Sequence, residues 1–207
     1  MPDKYSKFSD LEKSEKKGVD YGIDAVDRHS EAAIFAPHGG YIEPGTSQIA
    51  TAIAGDSLSL YRFEGLKPGH LHGDLHITSH QFDEPTARQM AAKSDVVVAI
   101  HGRVDGKDPS TVWMGGLDGI LRAEIERELS RAGFSATSEG HDLPARHPDN
   151  ICNGGGSKAG VQLEIPRTLR DTLQKNPALL GAFSGAVRAA IYRVTSNKKD
   201  PPTSTSR

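Results

Sequence analysis

The chain has 207 residues, with 25 Lys and Arg against 27 Asp and Glu and 36% hydrophobic residues, a balance that leaves no basic footprint for nucleic acid and no like-charge tail. Its one cysteine, Cys152, excludes an intramolecular disulfide and a thiolate metal cluster. No apolar stretch is long enough for a bilayer, and the polar start MPDKYSKFSDLEKSEKKG lacks the apolar core of a secretory signal, so a soluble cytoplasmic protein is expected, with release by lysis if a phage encodes it.

The first predicted strand is the apolar run 32–36, ended by a Gly39-Gly40 turn and followed by a helix over 46–54. Residues 58–63 alternate as a strand does, and 75–78 read as another. A helix over 85–93 opens on Pro85, where a missing N–H costs nothing; Asp83 and Glu84 before it either cap that helix or position a substrate. The β-branched run 96–100 predicts a strand buried on both faces. Leu117, Ile120, Leu121, Ile125 and Leu129 recur at helical spacing, and Gly133 stands where a left-handed cap belongs. Strands are expected at 134–138 and 161–165, a final helix at 178–193, and a disordered polar tail at 197–207. The irregular stretch 140–160 is long enough to wall a site. Strands alternating with helices predict one α/β domain over 1–196, three layers around a mixed, largely parallel sheet.

Ligand sites in such sheets lie beyond the carboxyl ends of the strands. His38 and Glu43 lie in PHGGYIEPGT just after the first strand, and His101 ends the run 96–100. Two imidazoles and one carboxylate are the protein ligands of a catalytic zinc, with a fourth position left for water. Glu164, at the end of the last strand, is placed to act as a base. Taken alone, each of these residues also reads as an ordinary loop or strand-end group. A second cluster, His70, His72, His76 and His80, offers a rival site through His72, His76 and His80. The strand predicted at 75–78 argues against it, because side chains on a strand do not converge simply. Cys152 reads as a small buried residue with no histidine partner.

The motifs PHGGYIEPGT, LHITSHQFDEP, AIHG, GGLD, HPDNICN and AGVQLEI occur in this order. In that order the chain resembles the poly-γ-glutamate hydrolase family over roughly residues 5–170. The resemblance implies a compact zinc-carboxypeptidase-like fold and an endo-acting hydrolase of γ-linked glutamyl amides that uses one zinc ion (Zn2+) per chain. It implies His38, Glu43 and His101 as ligands and Glu164 as the general base. It offers Arg122 as the cation facing the tetrahedral oxygen, against a reading as a solvated helix arginine. His76 matches the LHITS pattern and is implied to support the site or touch substrate. Asn150 and Asn153 either bind substrate backbone or brace their loop. One departure stands out: Gly154 occupies the place where the family carries arginine, leaving Lys158, Arg146 or Arg167 to hold a substrate carboxylate. The partner implied is an anionic polypeptide or amide substrate, met by a monomer with no nucleic acid or membrane. Alternatives are a zinc amidase on another amide, such as a peptidoglycan stem peptide or an N-acyl small molecule, and a non-catalytic zinc or anionic-polymer binder.

Overall fold

The computed structural model describes residues 3–69 and 71–199. Its strands are β1 (Tyr21–Val26), β2 (Ala32–Gly40), β3 (Ser59–Gly65), β4 (Val96–Arg103), β5 (Val112–Gly115), β6 (Ala136–Thr137) and β7 (Val161–Pro166). They form one seven-stranded sheet in the order β1-β3-β2-β4-β7-β5-β6. The four central strands are mutually parallel, β1 runs antiparallel to β3, and β5 runs antiparallel to β7. The expected mixed, largely parallel sheet is therefore present in a single α/β domain.

The core follows from strand alternation. In β2 and β4, Ala32, Ile34, Val96, Val98 and Ile100 face one side, while Ala33, Phe35, Val97 and Ala99 face the other. The first side packs on α2 (Thr46–Ala54), α5 (Gly119–Arg131) and α7 (Pro177–Lys199) through residues such as Ile49, Ile53, Leu121, Ile125 and Val187. The second side packs on α1 (Phe8–Leu11) and α4 (Pro85–Lys93) and on a 3-10 turn at Ile151–Gly154. Because both faces are covered, eight consecutive residues of β2, Ala32 to Gly39, are buried.

Local signals set the helix ends. Pro85 opens α4, and the Glu84 carboxylate accepts the Ala87 N–H at 2.7 Å, so capping is its role. Asp83 accepts the Phe8 N–H at 2.6 Å and so pins α1. Asp118 caps α5 through the Leu121 N–H, and Gly133 follows it at a φ of +85°. The remaining helices are α3 (His72–Leu75) and α6 (Arg167–Lys175).

Several expectations are corrected. Residues 75–78 are not a strand: Leu75 ends the single turn α3, and an irregular segment follows, anchored by buried Leu75 and Ile77. The apolar stripe of α5 is Leu121, Ile125 and Leu129, at strict i, i+4 spacing, whereas Leu117 and Ile120 are exposed. The strand expected at 134–138 shrinks to the two residues of β6. Helix α7 continues to Lys199, so residues 197–199 of the expected disordered tail are helical; 200–207 and His70 lie outside the described residues. Among the described residues no helix is long and apolar enough to cross a membrane.

Candidate metal and catalytic site

A one-residue irregularity in β2 directs His38 to the site. Ala36 pairs with Arg62 and Gly39 with Glu64, so β2 spends three residues where β3 spends two. Strict alternation would turn His38 to the same side as Ile34 and Ala36, among the aliphatic contacts of α2. The extra residue reverses that parity and turns His38 toward Phe82, His76 and His101. Pro37 sits at this bulge, where a residue without an N–H leaves no ladder bond broken. Just beyond it Gly40, at a φ of +62°, lets the backbone pass so close to β3 that a Cβ there would lie 2.2 Å from the Gly65 carbonyl oxygen.

His38 is buried, and its Nε2 lies 2.8 Å from the Ile77 carbonyl oxygen. A carbonyl only accepts, so Nε2 carries a proton, and in neutral His38 the lone pair is on Nδ1. That Nδ1 stands 3.2 Å from Glu43 Oε1 and 3.1 Å from Nδ1 of His101. His101 Nδ1 is in turn 3.8 Å from Glu43 Oε2, which also accepts the Gly102 N–H at 2.7 Å. Three donors on a tetrahedral zinc at about 2.05 Å stand about 3.3 Å apart, so the spacing of 3.1, 3.2 and 3.8 Å suits that ion. The buried Glu43 carboxylate beside these two imidazole nitrogens favours a positive charge among them. Burial alone would lower the His38 pKa, but Glu43 outweighs it and holds the ring above its ordinary value. Burial and the His38 charge push His101 down to about 3. Burial would raise Glu43, yet the charge of His38 holds it well below the usual carboxylate range.

His76 is a competing third donor, since His38, Glu43 and His76 each offer an atom within 4.8 Å of the others. The His101 set is tighter, and the His76 ring lies over that of His38 with centroids 4.0 Å apart. On those shorter donor distances His101 is the better third ligand. Nδ1 of His76 pairs with Asp3 at 2.7 Å, and Asp3 also accepts from the Thr78 N–H and hydroxyl. The His72 ring lies tilted against His76 with centroids 4.3 Å apart, while His80 stacks on His147 instead, at 4.7 Å. Of the rival set His72, His76 and His80, His80 is thus drawn away by its own partner.

Beside His101 stands Glu164 on β7, its register partner on the neighbouring strand. Burial and the charge of Glu43 push its carboxyl up to about 8. The Gln162 side-chain N–H donates to Glu164 Oε1 at 2.6 Å, and Asn150 Nδ2 donates to Gln162 Oε1 at 3.1 Å. All these groups open on one cleft of about 1040 Å³, whose far wall is the loop from Asp142 to His147. Arginines 103, 146, 167 and 170 line it as well.

The other expected site residues fare unevenly. Arg122 belongs to α5 and is not among the residues that line the cleft. Asn153 does not line the cleft either. It spends its amide on the carbonyls of Ala145 and His147 and accepts the N–H groups of Leu117 and Gly160, so it braces the loop rather than holding substrate. Asn150 does line the cleft, but its side chain caps the 3-10 turn and holds Gln162. Burial raises the Cys152 thiol to about 12, which suits a packing residue. Sequence reasoning missed Gln162 and Arg170. The signal for Gln162 was the alternation Val-Gln-Leu-Glu-Ile, which puts Gln162 and Glu164 on one side of the strand.

Fold and site together define an α/β domain with its polar centre beyond the carboxyl ends of parallel strands. The chain belongs to the poly-gamma-glutamate hydrolase family, whose profile matches residues 5–196. It is 40% identical over 182 residues to the SPbeta prophage-derived protein YoqZ of Bacillus subtilis strain 168, a match spanning 86% of this chain and 64% of YoqZ. Among solved structures, a bacteriophage poly-gamma-glutamate hydrolase superposes with a TM-score of 0.87 at 32% identity, covering 94% of this chain and 99% of the other. A zinc-free apo form of YndL superposes with a TM-score of 0.80 at 31% identity, covering 95% and 98%.

Proposed function

We propose that the chain is a zinc-dependent hydrolase that cleaves the γ-glutamyl amide bonds of poly-γ-glutamate. The observation that carries this reading is the meeting of His38 Nδ1, His101 Nδ1 and Glu43, 3.1–3.8 Å apart, in the cleft that also holds Glu164. His38, His101 and Glu43 would hold one ion per chain, and the zinc-free form of the related YndL supports zinc as that ion. When bound, zinc supplies Lewis acidity and lowers the pKa of water to about 7. Glu164 takes the proton from the attacking water and returns it to the departing amine. The nearby cation also counters the burial that raises the Glu164 pKa, which keeps the base ionised at neutral pH.

The arginines of the cleft suit a substrate with a carboxylate on every residue. Arg170 is spent on the backbone, donating to the carbonyls of Ile165, Pro44 and Arg103. Arg146 and Arg167 are the cleft-lining candidates for substrate carboxylates, whereas Lys158 does not line the cleft. A side chain at Gly154 would start 3.4 Å from Ala91 on α4, and neither residue lines the cleft. Loss of the family arginine there is therefore compatible with carboxylate recognition by Arg146 and Arg167.

The test is chain-length analysis of poly-γ-glutamate after incubation with wild type, chelator-treated wild type and Glu164→Gln. Shortening that disappears with chelator and in the variant, while the variant keeps its zinc, is expected. An active Glu164→Gln protein would remove Glu164 from the role of base. No shortening by zinc-loaded wild type would move the substrate to another amide.

A further inference from the structure

Three buried side chains form one hydrogen-bonded line into the site: Asn150 and Gln162, each 5% exposed, and Glu164, 6% exposed. Its polarity is set by the main chain. The Cys152 N–H can only donate, and it donates to Asn150 Oδ1 at 3.0 Å. That fixes the Asn150 amide with Nδ2 turned to Gln162 Oε1, at 3.1 Å. Gln162 must then present Nε2 to Glu164 Oε1, at 2.6 Å. A side-chain amide has one donor end and one acceptor end, so neither member can turn over without setting two like groups against each other.

We infer that Gln162 is a positioning residue for the base: its N–H occupies Oε1 of Glu164 and reserves Oε2 for the proton that travels from water to the leaving amine. This rests on the reading of Glu164 as general base. An oxygen that accepts a hydrogen bond along its lone pair is a poor place for a proton, so the carboxyl protonates on the other side. The same bond fixes the rotation of the Glu164 side chain, which sits on a strand and is joined to the loop 140–154 through this hydrogen-bonded line. Asn150 therefore has two tasks: capping the 3-10 turn and handing the orientation of that loop to the base. A displacement of about 1 Å in a reacting group can lower a rate by about 10²-fold, so the effect falls on kcat.

The test is a double-mutant cycle on the zinc-loaded full chain with poly-γ-glutamate. Gln162→Met keeps the volume and removes the donor. Asn150→Asp keeps an oxygen for the Cys152 N–H but presents an acceptor to Gln162, which turns the amide over. Each single variant is expected to lose about tenfold or more in kcat, with KM within about twofold and zinc content near wild type; the melting temperature falls by several degrees because a buried polar group loses its partner, so kcat is read well below it. In the Gln162→Met background Asn150→Asp is expected to add little, because its effect runs through the amide. An equal further loss in that background would mean a direct charge effect and would overturn the inference, as would wild-type kcat in Gln162→Met. If Glu164→Gln is inactive while Gln162→Met is fully active, the base stands and only the inference falls. If Glu164→Gln stays active, both fall.

Discussion

Gly102 is where the proposed metal ligands and the arginine network meet, which makes Gly102→Ala an informative perturbation. The Gly102 N–H holds Glu43 Oε2, and its Cα faces the Arg170 guanidinium so closely that a Cβ would lie 2.4 Å from Cζ and 2.6 Å from Nη1. Ordinary heavy-atom contact is about 3.5–4.0 Å, so the guanidinium must retreat by more than about 1 Å. Arg170 is 4% exposed, and its donors serve the carbonyls of Ile165 at 3.0 Å, Arg103 at 3.2 Å and Pro44. A retreat of that size breaks them. Overpacking costs about 1–3 kcal/mol and each charged hydrogen bond about 1.5–3 kcal/mol, with incomplete additivity, so about 3–5 kcal/mol is expected. For a domain of this size that lowers the melting temperature by roughly 6–20 °C. The assay is thermal unfolding of wild type, Gly102→Ala, Arg170→Ala and the double variant in chelator. The methyl should do little harm once the guanidinium is gone. A single variant melting within about 2 °C of wild type, or an equal loss in the Arg170→Ala background, would refute the steric argument.

His101→Ala is expected to abolish tight zinc retention, read as metal content after dialysis, while leaving the melting temperature in chelator little changed; a variant that keeps stoichiometric zinc would point to His76 as the third ligand. Asn153→Ala leaves the N–H groups of Leu117 and Gly160 and the carbonyls of Ala145 and His147 without the partner they have, and should cost about 3 kcal/mol or more; a melt indistinguishable from wild type would mean water replaces the amide. In metal-free protein the Glu164 carboxyl is raised from 4.5 to about 8, chiefly by burial and then by Glu43. Its contribution to stability is fully present below the unfolded value and is lost as pH rises through about 8. Glu164→Gln should accordingly gain on wild type in melting temperature between pH 5 and pH 8 in chelator, and a difference constant with pH would sink this assignment.

The parts of the molecule legible from the sequence are those where one physical demand dominates. Strands β2 and β4 are buried on both faces and announce themselves as apolar runs, and α2 and α4 were read with their observed bounds because a Gly turn or a Glu-Pro start punctuates them. His38, Glu43, His101 and Glu164 follow from a topological rule about strand ends, and the structure brings them into one cleft. β1, an edge strand with Gly22 and Asp24 inside it, and β5, only four residues long, went unread, since edge strands and very short strands carry only weak patterning. Arg122 shows a different limit: an amphipathic helix reveals that it has a buried face but not which side of the sheet receives it. Arg170 was invisible for a similar reason, because its three carbonyl partners come from separate strand ends and turns.

The bulge at Pro37 subjects this segment to a rule of odd and even. Chemistry-preserving substitutions between Ala36 and Gly39 leave the count of residues intact, and His38 still reaches the cleft. Removing or adding one residue there changes the count by an odd number and would send the imidazole through the sheet into the aliphatic layer beneath α2. A change of two would keep its direction and alter only how far the turn projects. Length variation in this stretch is thus constrained by arithmetic more tightly than by residue type, and a redesign that shortens the loop to Glu43 must move in pairs.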